Sequence, residues 1–520
     1  MPAPPDPRII RATQSFQRGD FRETESDCRR ILESDPRSAD ALHLLGLVAI
    51  RAGQPAAAVE LIGRAIEIDP HVSRYYTNRG DAQRALGRLE EARSDQAHAI
   101  SIDPANATAH YNMGIVLRAL NRLDDSIASY RQAVRIKPEY ARAHYNLANA
   151  LRVRGELDEA EAAYRAAISL NPNHAEAWNN LGELLSERMR IDESLAALDR
   201  AIALKPDHAT ARYNRGFVHL LRGEYRSGWE GYDWRFRMPA LLPHAPKFSQ
   251  PRWDGSDLTG KTILLLGEQG VGDNIQFARY ATPLAARGGQ VILGCQKSVA
   301  ALLATIPGVK RVVSESDPLP PFDTWIPMLS VPALLGTTLE NIPATVPYIF
   351  PDQRKVDEWK STLAPQRAAL NIGLAWAGNP NQANDRNRSA NLAALKPFAG
   401  IANTKIFSLQ KGAASEQIAQ ASFPLVDLTE KLSDFSDTAA LIANLDVVIS
   451  VCTSVAHVAG AMGKPTLTML CFNADWRWLM QRGDSPWYPT MKLFRQAIQG
   501  DWESVSLRVR QELEARLHAP

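Results

Sequence analysis

ISIDPANATAHYNMG, residues 100–114, holds three features that decide the fold: a proline at 104, an asparagine at 112 and a glycine at 114. Each returns at a constant interval of 34 residues. The prolines are Pro36, Pro70, Pro104, Pro138, Pro172 and Pro206, in settings such as IEIDP, ISIDP and ISLNP. Small residues recur at Gly46, Gly80, Gly114, Ala148, Gly182 and Gly216, and again at Ala65, Ala99, Ala133, Ala167 and Ala201. Two small positions per period, each inside a helical segment, mark where paired helices must approach closely. Proline ends the second helix of each pair, since its ring and missing N–H cannot continue a helix. The pattern predicts an α solenoid of stacked helix pairs.

An interval of 34 residues is the tetratricopeptide period. The unit ending at Pro36 is less regular, and GEYRSGWEGYDWRFRM, 223–238, turns aromatic and leaves the pattern after Gly216. Atypical ends are expected of a solenoid's caps. The solenoid is therefore read as residues 1–238.

HYNMG (110–114) returns as HYNLA (144–148), and the same slot holds Asn78, Asn112, Asn146, Asn180 and Asn214. Asparagine is a mediocre helix former, because its short amide competes for nearby backbone groups. Five in register point to a surface. Each lies two residues before the small position on the first helix, about 200° round and so away from the tight contact. One reading is that these side chains solvate a helix face or bond to a neighbouring turn. The other rests on a resemblance: the row is similar to the asparagine ladder of the O-linked N-acetylglucosamine transferase superhelix, which holds an extended polypeptide by its backbone. A carboxamide offers both donors and an acceptor, which suits that task whatever the guest's side chains.

At 520 residues the chain predicts about three or four domain-sized units. A net charge of +2, from 59 basic and 57 acidic residues, gives no broad footprint for a polyanion and argues against nucleic acid. Cys28, Cys295, Cys452 and Cys471 form no CxxC pair, so neither a disulfide framework nor a zinc site is expected and a reducing cytoplasm fits. MPAPPDPRII lacks the basic and apolar regions of a signal peptide, and no long apolar run occurs, so a cytoplasmic protein without a transmembrane segment is expected.

After Met238 the repeat stops. A Pro-rich connector, 239–257, leads into alternating β-rich and helical runs: KTILLLG, a helix from about Asp273 to Arg287, QVILGC, a helix, then VKRVVS. A second block starts at NIGLAW and continues through KIFSLQ, PLVDLT, a helix over 434–446, DVVISV, a helix over 454–463 and TLTMLC. This is βαβ grammar. It predicts two Rossmann-like domains, 258–350 and 351–520, with ligands at the carboxyl ends of their strands.

Three segments populate that region. GEQGVGDNIQF (267–277) is a Gly-rich turn with Gly270, Gly272 and, at its mouth, Asp273; it lacks the Lys-Ser/Thr of a P-loop and on its own reads equally as a plain strand-to-helix turn. NPNQANDRNRSANL (379–392) is a polar loop carrying Arg386 and Arg388, residue types that in a loop commonly face solvent. ISVCTSVAHVAGAMGKP (449–465) runs from a buried strand into a helix with Thr453 and Ser454 at its start, where hydroxyls and N–H groups form an anion site or simply cap the helix. His457 on that helix reads alone as a satisfied helix-face histidine.

Together these segments, with the closing DWRWLMQRGDSPWYPTMKLFRQ, resemble heptosyltransferase-type glycosyltransferases of the GT-B fold, and in particular bacterial proteins in which tetratricopeptide repeats precede such a domain. The resemblance spans essentially the whole chain. It implies a metal-independent, inverting transferase with no cofactor beyond its nucleotide-activated sugar donor, whose hexosyl, heptosyl or sialic-acid-like identity stays open. It places Asp273 as general base, Arg388 against the donor diphosphate and Thr453 with Ser454 where helix amides receive it, with Gly270, Gly272, Arg386 and His457 as further candidates for the nucleotide sugar. LQKGAASEQ (409–417) falls where the family receives the nucleoside, making Gln410, Lys411 and Glu416 candidates. The domain 258–350 becomes the acceptor side and 351–520 the nucleotide-sugar side. One departure is Cys452, which stands where the family commonly has an aspartate before the threonine. The implied acceptor is a protein hydroxyl presented by the repeats; flagellin is a candidate, since some bacterial transferases of this joint architecture modify it. A lipopolysaccharide or glycan transferase with docking repeats, and a non-catalytic repeat scaffold, are the alternatives.

Overall fold

A computed structural model describes residues 6–239, 241, 246–382 and 384–518. Most of the expected connector's PALLPH segment and Ala383 of the polar loop lie outside them. The chain forms two compact units, one of residues 1–185 and 192–206, the other of 186–191 and 207–520.

The first unit is a run of antiparallel helix pairs, from Pro7–Arg18 and Phe21–Ser34 to Ala175–Glu187 and Ile191–Leu204. The pairing rule is visible in Ala107–Ala119 and Leu123–Ile136. A Cβ at Gly114 would sit 2.5 Å from the Tyr130 ring, sixteen residues on, so in this pair glycine leaves the room that the ring takes. Gly182 meets Leu198 at the same spacing, with 2.6 Å between a built Cβ and the leucine. Ala65, Ala99, Ala133, Ala167 and Ala201 are all fully buried. The second helices end at Ser34, Ile68, Ile102, Ile136, Leu170 and Leu204, two residues before each periodic proline. The intervening residue is extended, as Asp103 shows with φ −134° and ψ 94°, because a following proline disfavours the helical region.

Each pair turns through a left-handed residue at Gly19, Gly53, Gly87, Asn121, Gly155, Met189 and Gly223, another period of 34. Glycine takes this conformation freely and asparagine tolerates it; Met189, at φ 59°, holds it against its own Cβ.

The second unit contains two parallel sheets. The first joins β1 (Thr262–Leu266), β2 (Gln290–Cys295), β3 (Val309–Ser314) and β4 (Thr324–Pro327) in the order β3-β2-β1-β4. The second joins β5 (Leu370–Ala375), β6 (Thr404–Ser408), β7 (Val447–Val451), β8 (Thr466–Leu470) and β9 (Met491–Arg495) in the order β6-β5-β7-β8-β9. β7 and β8 are buried along their whole length, as parallel strands covered on both faces are. PLVDLT is not the strand its composition suggested; only Val426 bridges, to Phe407, before the chain enters a 3-10 turn at Thr429–Lys431. The expected helix from Asp273 to Arg287 is broken into Val271–Phe277, a 3-10 turn at Ala278–Tyr280, and Ala281–Ala286. β4, β9 and the closing helix Trp502–His518 add elements that the pattern did not reveal.

The aromatic end of the repeats is not a solvated cap. Helices Ala209–Arg222 and Tyr225–Tyr232 belong to the second unit, where Tyr225, Trp229 and Tyr232 are each 2% exposed. Trp229 donates its indole N–H to the Thr337 carbonyl at 3.0 Å, and Trp487 donates to the Tyr225 hydroxyl at 3.1 Å. Arg235 pairs with Glu268 at 2.7 Å, tying the segment to the Gly-rich turn. The compact boundary therefore falls near Pro206, one helix pair before the expected Met238. Among the described residues no helix is long and apolar enough to cross a membrane.

Candidate functional site

A cleft of about 1080 Å³ opens in the second unit, lined by the segments that follow β1, β5, β6, β7 and β8. Ligands of open parallel sheets bind at these carboxyl ends, where strand order reverses around β1 and β5. The cleft brings together Gly270, Gly272, Asp273, Arg388, Gln410, Lys411, Thr453, Ser454 and His457, which are distant in sequence.

Asp273 is the third residue of the helix Val271–Phe277. Its Oδ2 accepts the Gly270 N–H at 2.9 Å, an N-terminal cap, and its Oδ1 accepts from Arg477 at 2.5 Å. Burial pushes its pKa up; the Arg477 charge opposes that shift without cancelling it. Arg477 also pairs with Asp475 at 2.8 Å and lies 4.3 Å over the Trp476 ring. These two carboxylates around one guanidinium were not read from the sequence, although DWRW was singled out. The residue types carry the chemistry, but nothing in the spacing says that a guanidinium 204 positions away reaches Asp273.

Gly272 is required by a close approach: a Cβ there would sit 2.8 Å from the His457 ring. That contact joins the helix after β1 to the helix Ser454–Ala461 after β7. His457 is 5% exposed, pairs its Nδ1 with the Tyr488 hydroxyl at 2.9 Å, and stacks on Trp478. Burial drives its pKa down to about 3, so it is a neutral wall of the cleft.

At the other end, Arg388 pairs with Asp385 at 3.2 Å and donates to the Cys452 carbonyl at 3.4 Å. Thr453 starts the helix without a side-chain cap; its hydroxyl instead contacts Ser450 Oγ at 3.0 Å. The helix start is thus open to an anion, with Arg388 beside it. Cys452 accepts the Trp478 indole N–H at 3.0 Å, and burial pushes its thiol up to about 11, so it brings no charge. Lys411 donates to the carbonyls of Leu432 and Thr429.

Gln410, Glu416 and Arg386 stand differently from the rest. Gln410 lies in the cleft wall, but its amide serves the backbone: Oε1 accepts from Trp376 and Ala377 at 3.0 and 2.8 Å, and Nε2 donates to Ala377 and Lys411 carbonyls. It shapes the wall between β5 and β6. Glu416 is exposed on the 3-10 segment Ala413–Gln420 and lines no part of the cleft. Arg386 is exposed and lines a smaller neighbouring hollow of about 440 Å³ with Lys411 and Gly412.

The asparagine row has a partner that the sequence did not suggest, the preceding first helix. Asn146 donates to the Tyr111 hydroxyl at 3.1 Å and Asn180 to the Tyr145 hydroxyl at 3.1 Å, both 35 residues back. Asn78 reaches His43 Nε2 at 2.8 Å in the same way; burial drives His43 down to about 4, which suits a neutral acceptor. Asn180 also donates to Asn149 at 2.9 Å and accepts from Asn179 at 3.0 Å. Asn112 is 9% exposed. Asn214 stands one period further on, in the second unit. A carboxamide with two N–H groups and two lone pairs is not exhausted by one such bond.

Profiles of the tetratricopeptide repeat match residues 12–73, 43–107, 73–141, 111–175 and 154–216. Residues 12–216 are tetratricopeptide repeats. The chain is similar to the Caulobacter vibrioides protein FlbA, 29% identical over 327 residues that cover 57% of this chain and 54% of that protein. The chain thus matches about half the length of this curated relative. Among solved structures, PilF of Pseudomonas aeruginosa is 22% identical, with a TM-score of 0.37 over 39% of this chain and 93% of its own. YrrB, described as a tetratricopeptide-repeat protein with an unusual peptide-binding site, is 23% identical, with a TM-score of 0.31 over 35% of this chain and 95% of its own.

Proposed function

We propose that the protein is a glycosyltransferase of GT-B fold that moves a sugar from a nucleotide-activated donor to serine or threonine hydroxyls of a protein bound by its repeats. The observation that carries this reading is the convergence, at the carboxyl ends of two parallel sheets, of a partly buried carboxylate with an arginine and an open helix N-terminus in one cleft. A diphosphate suits the helix start and Arg388, through aligned N–H dipoles and a charge-assisted hydrogen bond. Asp273 is the base: it takes the acceptor's hydroxyl proton as that oxygen bonds to the anomeric carbon and the bond to the diphosphate breaks, with inversion. Charge developing on the leaving diphosphate is met by Arg388 and the helix dipole, so the step is written without a metal. The two sheet halves, about 258–350 and 351–520, take acceptor and donor respectively. Flagellin is the acceptor to test first.

A non-catalytic scaffold has one observation in its favour: both oxygens of Asp273 already have partners. A thermal-shift panel of UDP, GDP, CMP and their sugars separates the readings, because a ligand of the folded state must raise its stability. One nucleotide class is expected to stabilise the protein, with Arg388→Ala weakening it by roughly 1.5–3 kcal/mol. Asp273→Asn is expected to lower turnover by about 10² while keeping donor affinity within a few-fold. Binding without turnover supports the scaffold, and no binding at all removes the transferase.

A further inference from the structure

We propose that the last helix pair, Ala209–Arg222 and Tyr225–Tyr232, supplies the acceptor subsite, with Tyr213 and Phe217 holding an uncharged polypeptide segment beside Asp273. This rests on the transferase reading. Tyr213 and Phe217 stand one turn apart on one helix face and, with Tyr232, line the cleft that holds Asp273. Both are only partly buried, whereas Tyr232 is 2% exposed and fixed. The Tyr213 ring lies 5.2 Å from that of Tyr232, whose hydroxyl bonds to Gln269 at 3.2 Å. Gln269 immediately precedes Gly270, so the aromatic wall is anchored to the turn that presents Asp273. Besides Arg388, Lys411 and the helix start, the cleft's lining includes an aromatic wall, tied through Tyr232 and Gln269 to the turn that carries Asp273.

Two observations favour a polypeptide. Tyr213–Asn214 occupies the repeat slot of Tyr111–Asn112 and Tyr145–Asn146, and on this last helix the tyrosine of that slot lines the cleft. Asp273 and Asp475 share Arg477, which leaves this part of the cleft with one carboxylate in excess of its cation. A phosphorylated glycan would meet that excess; a neutral serine- or threonine-bearing segment would not. Aromatic faces add contact area at small conformational cost.

The test uses the full chain, the sugar nucleotide from the panel that gives the largest thermal shift, and two probes: a degenerate Ser/Thr peptide library and a lipopolysaccharide core preparation. Phe217→Ala is expected to raise the peptide KM at least tenfold while moving kcat and the donor KM less than twofold. Phe217→Leu, which keeps the packing, should lie between it and the parent; it carries the test if the alanine variant has a lowered melting temperature. Unchanged peptide KM, a parallel loss of donor KM, labelling of lipopolysaccharide rather than peptide, or donor hydrolysis with neither probe labelled each overturns the proposal. Absence of donor binding and hydrolysis in the parent sinks the transferase reading instead.

Discussion

Replacing Asn146 and Asn180 by alanine tests what the asparagine row does. Sequence alone predicts equal or greater stability, since alanine is the better helix former by about half a kcal/mol per site. The structure reverses that sign. Asn146 gives up its bond to Tyr111; Asn180 gives up bonds to Tyr145, Asn149 and Asn179. Four hydrogen bonds at about 0.5–1.5 kcal/mol each amount to roughly 2–6 kcal/mol. The helix gain offsets about 1 kcal/mol of that. A net loss of about 1–5 kcal/mol is expected, localised to the repeats. Urea unfolding followed by helical circular dichroism measures it, because the repeats hold most of the helix, and repeat stability is a sum of local terms and neighbour interfaces. Tyr111→Phe and Tyr145→Phe provide the control: each removes a bond acceptor and keeps the ring, so adding them to the asparagine variant should cost little more than the variant alone. If the double asparagine variant is as stable as the parent, the inter-repeat bonds contribute nothing and the row exists for a guest chain alone.

Met189→Gly should stabilise the protein by about 0.5–1 kcal/mol in thermal or urea unfolding, since it relieves a left-handed side chain at the price of a more flexible unfolded chain. A loss would show that the methionine's packing outweighs its backbone strain. Arg477→Met leaves two carboxylates without their cation in a site where the Asp273 side chain is 19% exposed, and should destabilise by about 3–5 kcal/mol, partly recovered by adding Asp273→Asn. A loss below about 1 kcal/mol, or no recovery, refutes the coupling. His457 is held at about 3 against an ordinary 6.5, so the folded state binds fewer protons than the unfolded one below that pH. Stability is complete above pH 6.5 and falls as pH drops towards 3, by about 2 kcal/mol at pH 5. His457→Gln should flatten the profile by that amount, and parallel profiles would show that the imidazole titrates normally.

The repeats were legible because their physics is local and repeated. A glycine facing the residue sixteen positions on, an alanine at a helix crossing and a proline after each second helix are short-range demands, so a period of 34 exposes them. The left-handed turn series was equally periodic, yet Asn121 and Met189 hide it from a search for glycine. The inter-repeat bonds were not legible. An amide in register says that something polar recurs, whereas the choice between guest and neighbour depends on how far one repeat rises over the last. The parallel sheets were legible where strands are buried on both faces, as in β7, and also at the edges β3 and β6, while the edge strands β4 and β9 were missed. PLVDLT shows the converse error: β-rich composition without a neighbour to pair with yields a single bridge.

The site divides along the same line. Thr453 and Ser454 follow the end of β7 by two and three residues and Asp273 follows β1 by seven, so reading the strands nearly places them, whereas Arg388 stands thirteen residues past β5. The role of Arg477 is not read that way, because it is set by burial. An arginine 6% exposed by its side chain stays in the fold only with carboxylates around it, and the nearest are Asp475 two positions away and Asp273 two hundred and four away. That geometry alters the chemistry ascribed to Asp273. The base proposed for the hydroxyl proton is a partly buried carboxylate, raised by desolvation and drawn back by a guanidinium. Its readiness depends on Arg477 as much as on itself. Cys452 fits the same logic. A carboxylate at its position would add a further negative group near Asp475 in the cleft that Asp273 also lines; the neutral thiol, bonded by Trp478, adds none. Cys452→Asp should therefore raise the pH at which Asp273 ionises, and with it the acid limb of any turnover profile; an unmoved limb would separate the thiol from the electrostatics of the base.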